Sequence, residues 1–87
     1  MADIDQNEPV LIRDPGILGG RPVFRGTRVP VETVFDNLIE GIDLEEILDN
    51  FPTLDRRDVE VAIRQACEAL KASAPDIAAE RSRARVP

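Results

Sequence analysis

Between Gly19 and Val31 the chain reads GGRPVFRGTRVPV, and this stretch restricts the possible folds more than any other. Gly19, Gly20 and Gly26 admit a positive φ or a close backbone approach, while Pro22 and Pro30 fix φ and withhold a donor from any strand ladder. A regular helix or a long strand cannot pass through such punctuation, so the segment is a shaped loop or a short irregular hairpin. Arg21, Arg25 and Arg28 then project from a stiff platform, and regular structure has to form on either side of it.

Upstream, Val10, Leu11, Ile12 and Arg13 precede the turn residues Asp14-Pro15-Gly16 and read as a short strand that pairs with Val23 and Phe24. Downstream, Val31, Val34, Phe35, Leu38 and Ile39 recur at helical spacing, with Pro30 suited to the first turn and Gly41 to the stop, which gives a helix over about 30–40. Asp43 caps a second, short helix carrying Leu44, Ile47, Leu48 and Phe51, ended by Pro52. Asp55 caps the longest helix, whose apolar stripe is Val59, Ala62, Ile63, Ala66, Cys67 and Leu70. On that stripe Cys67 is expected to be a small core hydrophobe rather than a redox sensor.

The expected fold is mainly α: a compact three-helix bundle of helix-turn-helix type, with a short N-terminal strand or hairpin and a flexible C-terminal tail. Residues 1–8 are expected to form a flexible N-terminal segment, 9–72 the helix-turn-helix-like domain and 73–87 the tail, where alanine, charge and two prolines replace the large apolar residues. Asp76 could cap a short, marginal helix over Ile77–Ala84. With 87 residues and only Phe24, Phe35 and Phe51 as aromatics, the core is small and aliphatic. A second copy would add to its stability, and the strand and loop region is the expected dimer contact.

Net charge is −6, and it is segregated. From Arg13 to Arg28 four arginines oppose Asp14 alone; from Val29 to Asp55 eight carboxylates meet no cation; the final ERSRARVP is basic again. Two readings of Arg21, Arg25 and Arg28 stand side by side: contact with a phosphate or partner, or pairing with the downstream carboxylates of the same chain. Thr27 is expected to bond local backbone at the start of the first helix. Arg56 and Arg57 read either as solvated first-turn residues or as contacts at a helix N-terminus.

Several functions are disfavoured. One cysteine and no histidine leave no metal cluster. The spacing from Gly20 to Gly26 is one too long for a phosphate loop, and no lysine stands beside Thr27. Glu45 and Glu46 point to different sides of a helix and make no catalytic pair, so neither an enzyme nor a cofactor is expected. The lack of a signal-like leader or a spanning apolar run points to the cytoplasm and away from the membrane.

The residues DPGILGGRPVFRGTRVPV, followed by a Gly-ended helix, LEEIL, an FP-x-L turn and a DV-x-x-AI helix, resemble the bacterial domain of unknown function 433 family over roughly residues 9–70. That resemblance implies a VapB-type antitoxin with a homeodomain-like fold that binds operator DNA as a homodimer and represses its own operon. It also implies a PIN-like ribonuclease toxin as partner, held by the C-terminal segment. Carried onto this chain, it makes Arg56, Arg57 and Arg64 the basic residues of the recognition helix, with Arg21, Arg25 and Arg28 as further DNA contacts. In the tail, Arg81, Arg83 and Arg85 could enter the carboxylate-rich cleft of such a nuclease, with Ile77 and Val86 as apolar anchors. The acidic second helix departs from the basic docking face usual among duplex binders. A protein-binding adaptor or a stand-alone regulator is the competing expectation.

Overall fold

A computed structural model describes residues 9–77 of the chain. In order, these form β1 (Leu11–Ile12), a single 3-10 turn (Leu18–Gly20), β2 (Val23–Phe24), α1 (Val31–Ile39), α2 (Leu44–Asn50) and α3 (Arg56–Ser73). The protein is mainly helical, three helices carrying a two-stranded antiparallel sheet in which Leu11 faces Phe24 and Ile12 faces Val23. The expected strand pairing is present, but short, because the backbone turns away after Phe24.

That turn is fixed locally. Gly26 takes a φ of +75°, the positive value a type II turn needs at its third position, and the Thr27 amide donates to the Phe24 carbonyl at 3.0 Å. Thr27 is buried, and its hydroxyl donates to the same carbonyl at 2.8 Å while accepting from the Val29 amide at 2.9 Å. Both capacities of a buried hydroxyl are therefore met, and the local backbone role expected of Thr27 is the one it has. A lone bridge from Val23 to Pro30 then delivers the chain into α1.

Gly41, at φ +91°, ends α1. Its amide donates to Leu38 and the Ile42 amide donates to Asn37, both at 3.0 Å, the paired bonds of a Schellman stop, and Ile42 folds back against the core. Asp43 accepts from the Glu46 amide at 3.0 Å to start α2, and Asp55 accepts from the Arg57 amide at 2.9 Å to start α3. Between them the Leu54 amide donates to Phe51 across the Pro52-Thr53 turn, which drops Leu54 into the interior.

Val10, Phe24, Val29, Val34, Ile47, Leu54, Val59 and Ala62 make the core. Every element except the 3-10 turn supplies or supports it, and Phe24 is its one fully buried aromatic residue. The helical stripes read from sequence overshoot this core at two places. Ile39, on the last turn of α1, is 81% exposed. On α3 the stripe is buried at Val59 and Ala62 and half-buried at Ile63 and Ala66, but Cys67 is exposed and Leu70 is 70% exposed. Cys67 is thus not a core residue as its spacing suggested: the first half of an 18-residue helix crosses the small core, and the rest runs past its edge.

Ile47 is fully buried at the centre of the shortest helix. Its replacement by alanine is expected to destabilise the domain by about 3 kcal/mol through lost burial and a residual cavity, read from the urea midpoint. The exposed Ile39→Ala is expected to shift that midpoint by less than about 0.5 kcal/mol.

Candidate nucleic-acid interface

Arg25 sits at the bend of the β2 turn, its backbone amide donating to the Val10 carbonyl at 2.9 Å. Its side chain reaches α3, where Nε donates to Asp58 Oδ2 at 3.1 Å and an Nη donates to Oδ1 at 2.9 Å. Two parallel bonds of this kind match the guanidinium fork to a carboxylate. Asp58 lies in the first turn of α3 and is only 6% exposed. A buried carboxylate is tolerated there because Arg25 pairs with it and the positive end of the helix dipole favours it. The contact joins residues 33 apart in sequence and ties the loop platform to the longest helix.

Arg21 and Glu32 form an exposed ion pair at the head of α1. The Glu32 carboxyl is held below the ordinary glutamate range, first by a backbone hydrogen bond at its own amide and then by the neighbouring Arg21 charge. Pairing with the chain's own acidic residues therefore accounts for two of the three loop arginines. Arg28 is exposed, and no carboxylate meets it among the described residues.

On α3, Arg56 pairs with Glu45 of α2 and with Glu60 one turn along its own helix. Its pKa is raised, chiefly through the hydrogen bond to Glu45. Arg56, Arg57, Glu60, Val61 and Arg64 line a shallow groove along the exposed side of the first turns, beside the Asp55 cap. Arg57 and Arg64 are exposed along that groove. Three cations converge here, with Asp55 and Glu60 interleaved. The arrangement can hold phosphate oxygens or base edges, or an acidic protein surface, through guanidinium donors. Arg28 belongs to the loop before α1 and is not among the residues that line the groove.

The tail contributes less to the described surface. Ile77 is 63% exposed, directly after the Ala74-Pro75-Asp76 break. Arg81, Arg83, Arg85 and Val86 lie outside the described residues, as does most of the helix considered over Ile77–Ala84. Among the described residues no cluster of three or more potential ligands could hold a metal ion, and no helix is long and apolar enough to cross a membrane.

Asp58 was the residue that sequence reasoning passed over. The tally of acidic residues stopped at Asp55, yet Asp58 lies four positions before the buried Ala62 and so on the inward side of α3. A carboxylate on an apolar stripe was the available signal that a buried cation partner had to exist.

Comparison with known proteins places residues 12–66 within the model of a protein family of unknown function, DUF433. A curated relative, the uncharacterized protein y4eO of Sinorhizobium fredii, is 38% identical over 60 residues. Those residues are 69% of this chain but 27% of the relative, so the chain spans about a quarter of that protein's length. A crystal structure of a DUF433 member from Anabaena variabilis superposes with a TM-score of 0.61 at 25% identity, over 82% of this chain and 70% of that one.

Removing Arg25 leaves a buried charge without its main partner. Arg25→Ala is expected to cost about 3 kcal/mol, which in a domain of this size lowers the thermal midpoint by roughly 10 °C or more. The paired change Arg25→Met with Asp58→Leu removes both charges and is expected to recover most of that loss. Calorimetry of the wild type, both single variants and the pair measures the coupling.

Proposed function

The chain belongs to the DUF433 family, and we propose that it is a DNA-binding antitoxin: a helix-turn-helix-like head that binds its own operator as a homodimer, with a C-terminal segment that neutralises a PIN-like ribonuclease. The supporting observation is the groove at the start of α3, where Arg56, Arg57 and Arg64 come together on a helix preceded by a shorter helix and a five-residue connection. Helix-turn-helix proteins bring the N-terminal residues of their second helix to base edges in this way. Arg28, on the loop platform, adds a phosphate contact away from the groove, while Arg21 and Arg25 shape the platform itself.

The antitoxin part rests on the family resemblance and on the chemistry of the tail. Arg81, Arg83 and Arg85 alternate along a short segment whose arginines can bind carboxylates bidentately. Guanidinium groups inserted among metal-binding carboxylates would displace the divalent cation that a PIN-type nuclease needs, with no catalysis by the antitoxin. One observation favours the adaptor reading instead. Asp55, Glu45 and Glu60 surround Arg56, which lowers the phosphate attraction of the groove and suits it to a protein surface of mixed charge.

Two measurements separate these readings. In gel shifts against the native promoter, Arg57→Ala with Arg64→Ala is expected to weaken binding about tenfold or more and to flatten its salt dependence by about two phosphate contacts. Binding that is absent, or unchanged in the variant, overturns the DNA role. For the toxin role, deletion of residues 76–87 is expected to abolish inhibition of the nuclease encoded beside this chain, and full inhibition by the truncated protein overturns it.

A further inference from the structure

The apolar stripe of α3 continues beyond the core that its first half covers. Ala62 is buried, Ile63 and Ala66 are half-buried, and Cys67 and Leu70 lie open to solvent. At 100° per residue, Ile63, Ala66, Cys67 and Leu70 span an arc of about 100°, the width of a helix-packing face. Each is uncharged. Along one edge of this arc run Glu60, Arg64, Glu68 and Lys71; along the other lie the small residues Ala62, Ala69 and Ser73. We infer that this face is the seat of a second copy of the chain, with the two α3 helices antiparallel and crossing where Ala66 meets Cys67.

The charge pattern selects both the occupant and the direction. In an antiparallel pair related by a two-fold axis, the same edge of each helix lies on the same side, so the charged edges adjoin and the small-residue edges adjoin. With the axis between Ala66 and Cys67, Ile63 stands level with Leu70 of the second copy. Arg64 then stands within one residue rise, about 1.5 Å along the axis, of the second copy's Glu68. Lys71 stands within about 3 Å of the level of the second copy's Glu60. Symmetry makes each of these two opposite-sign pairs twice, and the closest of all, Arg64 with the second copy's Glu68, outweighs the one like-charge approach, Lys71 within about 3 Å of the level of the second copy's Arg64. A parallel pair would set the charged edge of one helix against the alanine edge of the other.

Arg64 makes no ion pair with the described residues of its own chain, so this arrangement supplies one. Small residues at Ala62, Ala66 and Ala69 let the axes approach to about 8 Å, the near limit for packed helices. The overlap of the exposed turns is roughly 15 Å long, below the length of a permanent interface, so the dimer exchanges with monomer as concentration changes. The strand and loop region, the dimer contact suggested by sequence, carries strands of only two residues each. This inference does not depend on the antitoxin reading, because it uses neither DNA nor a nuclease.

Sedimentation equilibrium of the full chain over a wide concentration range, with Cys67 oxidised by copper phenanthroline in parallel samples, tests it. The expected result is a reversible dimer and a covalent dimer through Cys67, since the crossing places the two cysteine Cα atoms within bridging distance of about 5–6 Å. Leu70→Glu, at an exposed position that leaves the circular dichroism unchanged, is expected to weaken association about tenfold or more. Arg64→Glu is expected to weaken it, and Arg64→Glu with Glu68→Arg to restore it. A chain that stays monomeric at every concentration, a dimer indifferent to Leu70→Glu, or a charge reversal without rescue overturns the proposal. Because these readings contain no nucleic acid, their failure is distinct from a failed gel shift.

Discussion

The ion pair between Arg25 and Asp58 holds the molecule in its shape. A two-stranded sheet of four residues cannot stand alone in water, and α3 buries only its first turns, so each needs an anchor beyond its own hydrogen bonds. The guanidinium provides it by joining the turn after β2 to the first turn of α3 while its backbone amide closes onto the end of β1. Phe24 and Val59 are buried in the same core that this contact helps to close. The RGT part of the loop, Arg25–Thr27, is therefore structural at each position: glycine turns the backbone, threonine saturates it, and the arginine before them reaches across to the helix.

Electrostatics follow from the same economy. The basic loop and the acidic helices, which read as separate surfaces along the chain, neutralise each other in part once folded. Arg21 meets Glu32, Arg25 meets Asp58 and Arg56 meets Glu45. Of these, the pair to Asp58 is partly buried, so breaking it on one side costs most; the exposed pairs contribute little in water. Solvent-exposed cations remain along α3 and at Arg28. This redistribution narrows the basic surface to a groove and leaves the carboxylates of Asp36, Glu40, Glu46 and Asp49 to keep the rest of the surface acidic.

α3 has two halves with different obligations. Its N-terminal half supplies Val59 and Ala62 to the core and presents arginines along its exposed side. Its C-terminal half carries the same apolar spacing with nothing among the described residues to cover it. In an 87-residue chain, burial on folding is limited, and surface left uncovered within one copy is available for association. A dimer formed through the second half engages Glu60 and Arg64 at one end of the groove and leaves Arg56 and Arg57, at its other end, exposed in each copy.

Local order was legible in the sequence. Gly41 and Asp43 marked a stop and a start, Asp55 marked another, and the spacing of Val31, Val34, Phe35 and Leu38 gave α1 its face, because caps and turns are decided by neighbours a few residues away. Thr27 was likewise read correctly, since its partners lie within three residues. What periodicity could not reveal was where the core ends: Ile39, Cys67 and Leu70 fit their stripes as well as Val34 and Val59 do, yet a helix repeats its face for as long as it runs, whereas a core extends only as far as other elements reach. The choice of Asp58 for Arg25, among so many carboxylates, likewise belonged to the tertiary structure. It depends on which first turn packs beside the hairpin, a contact across 33 residues that no local pattern encodes.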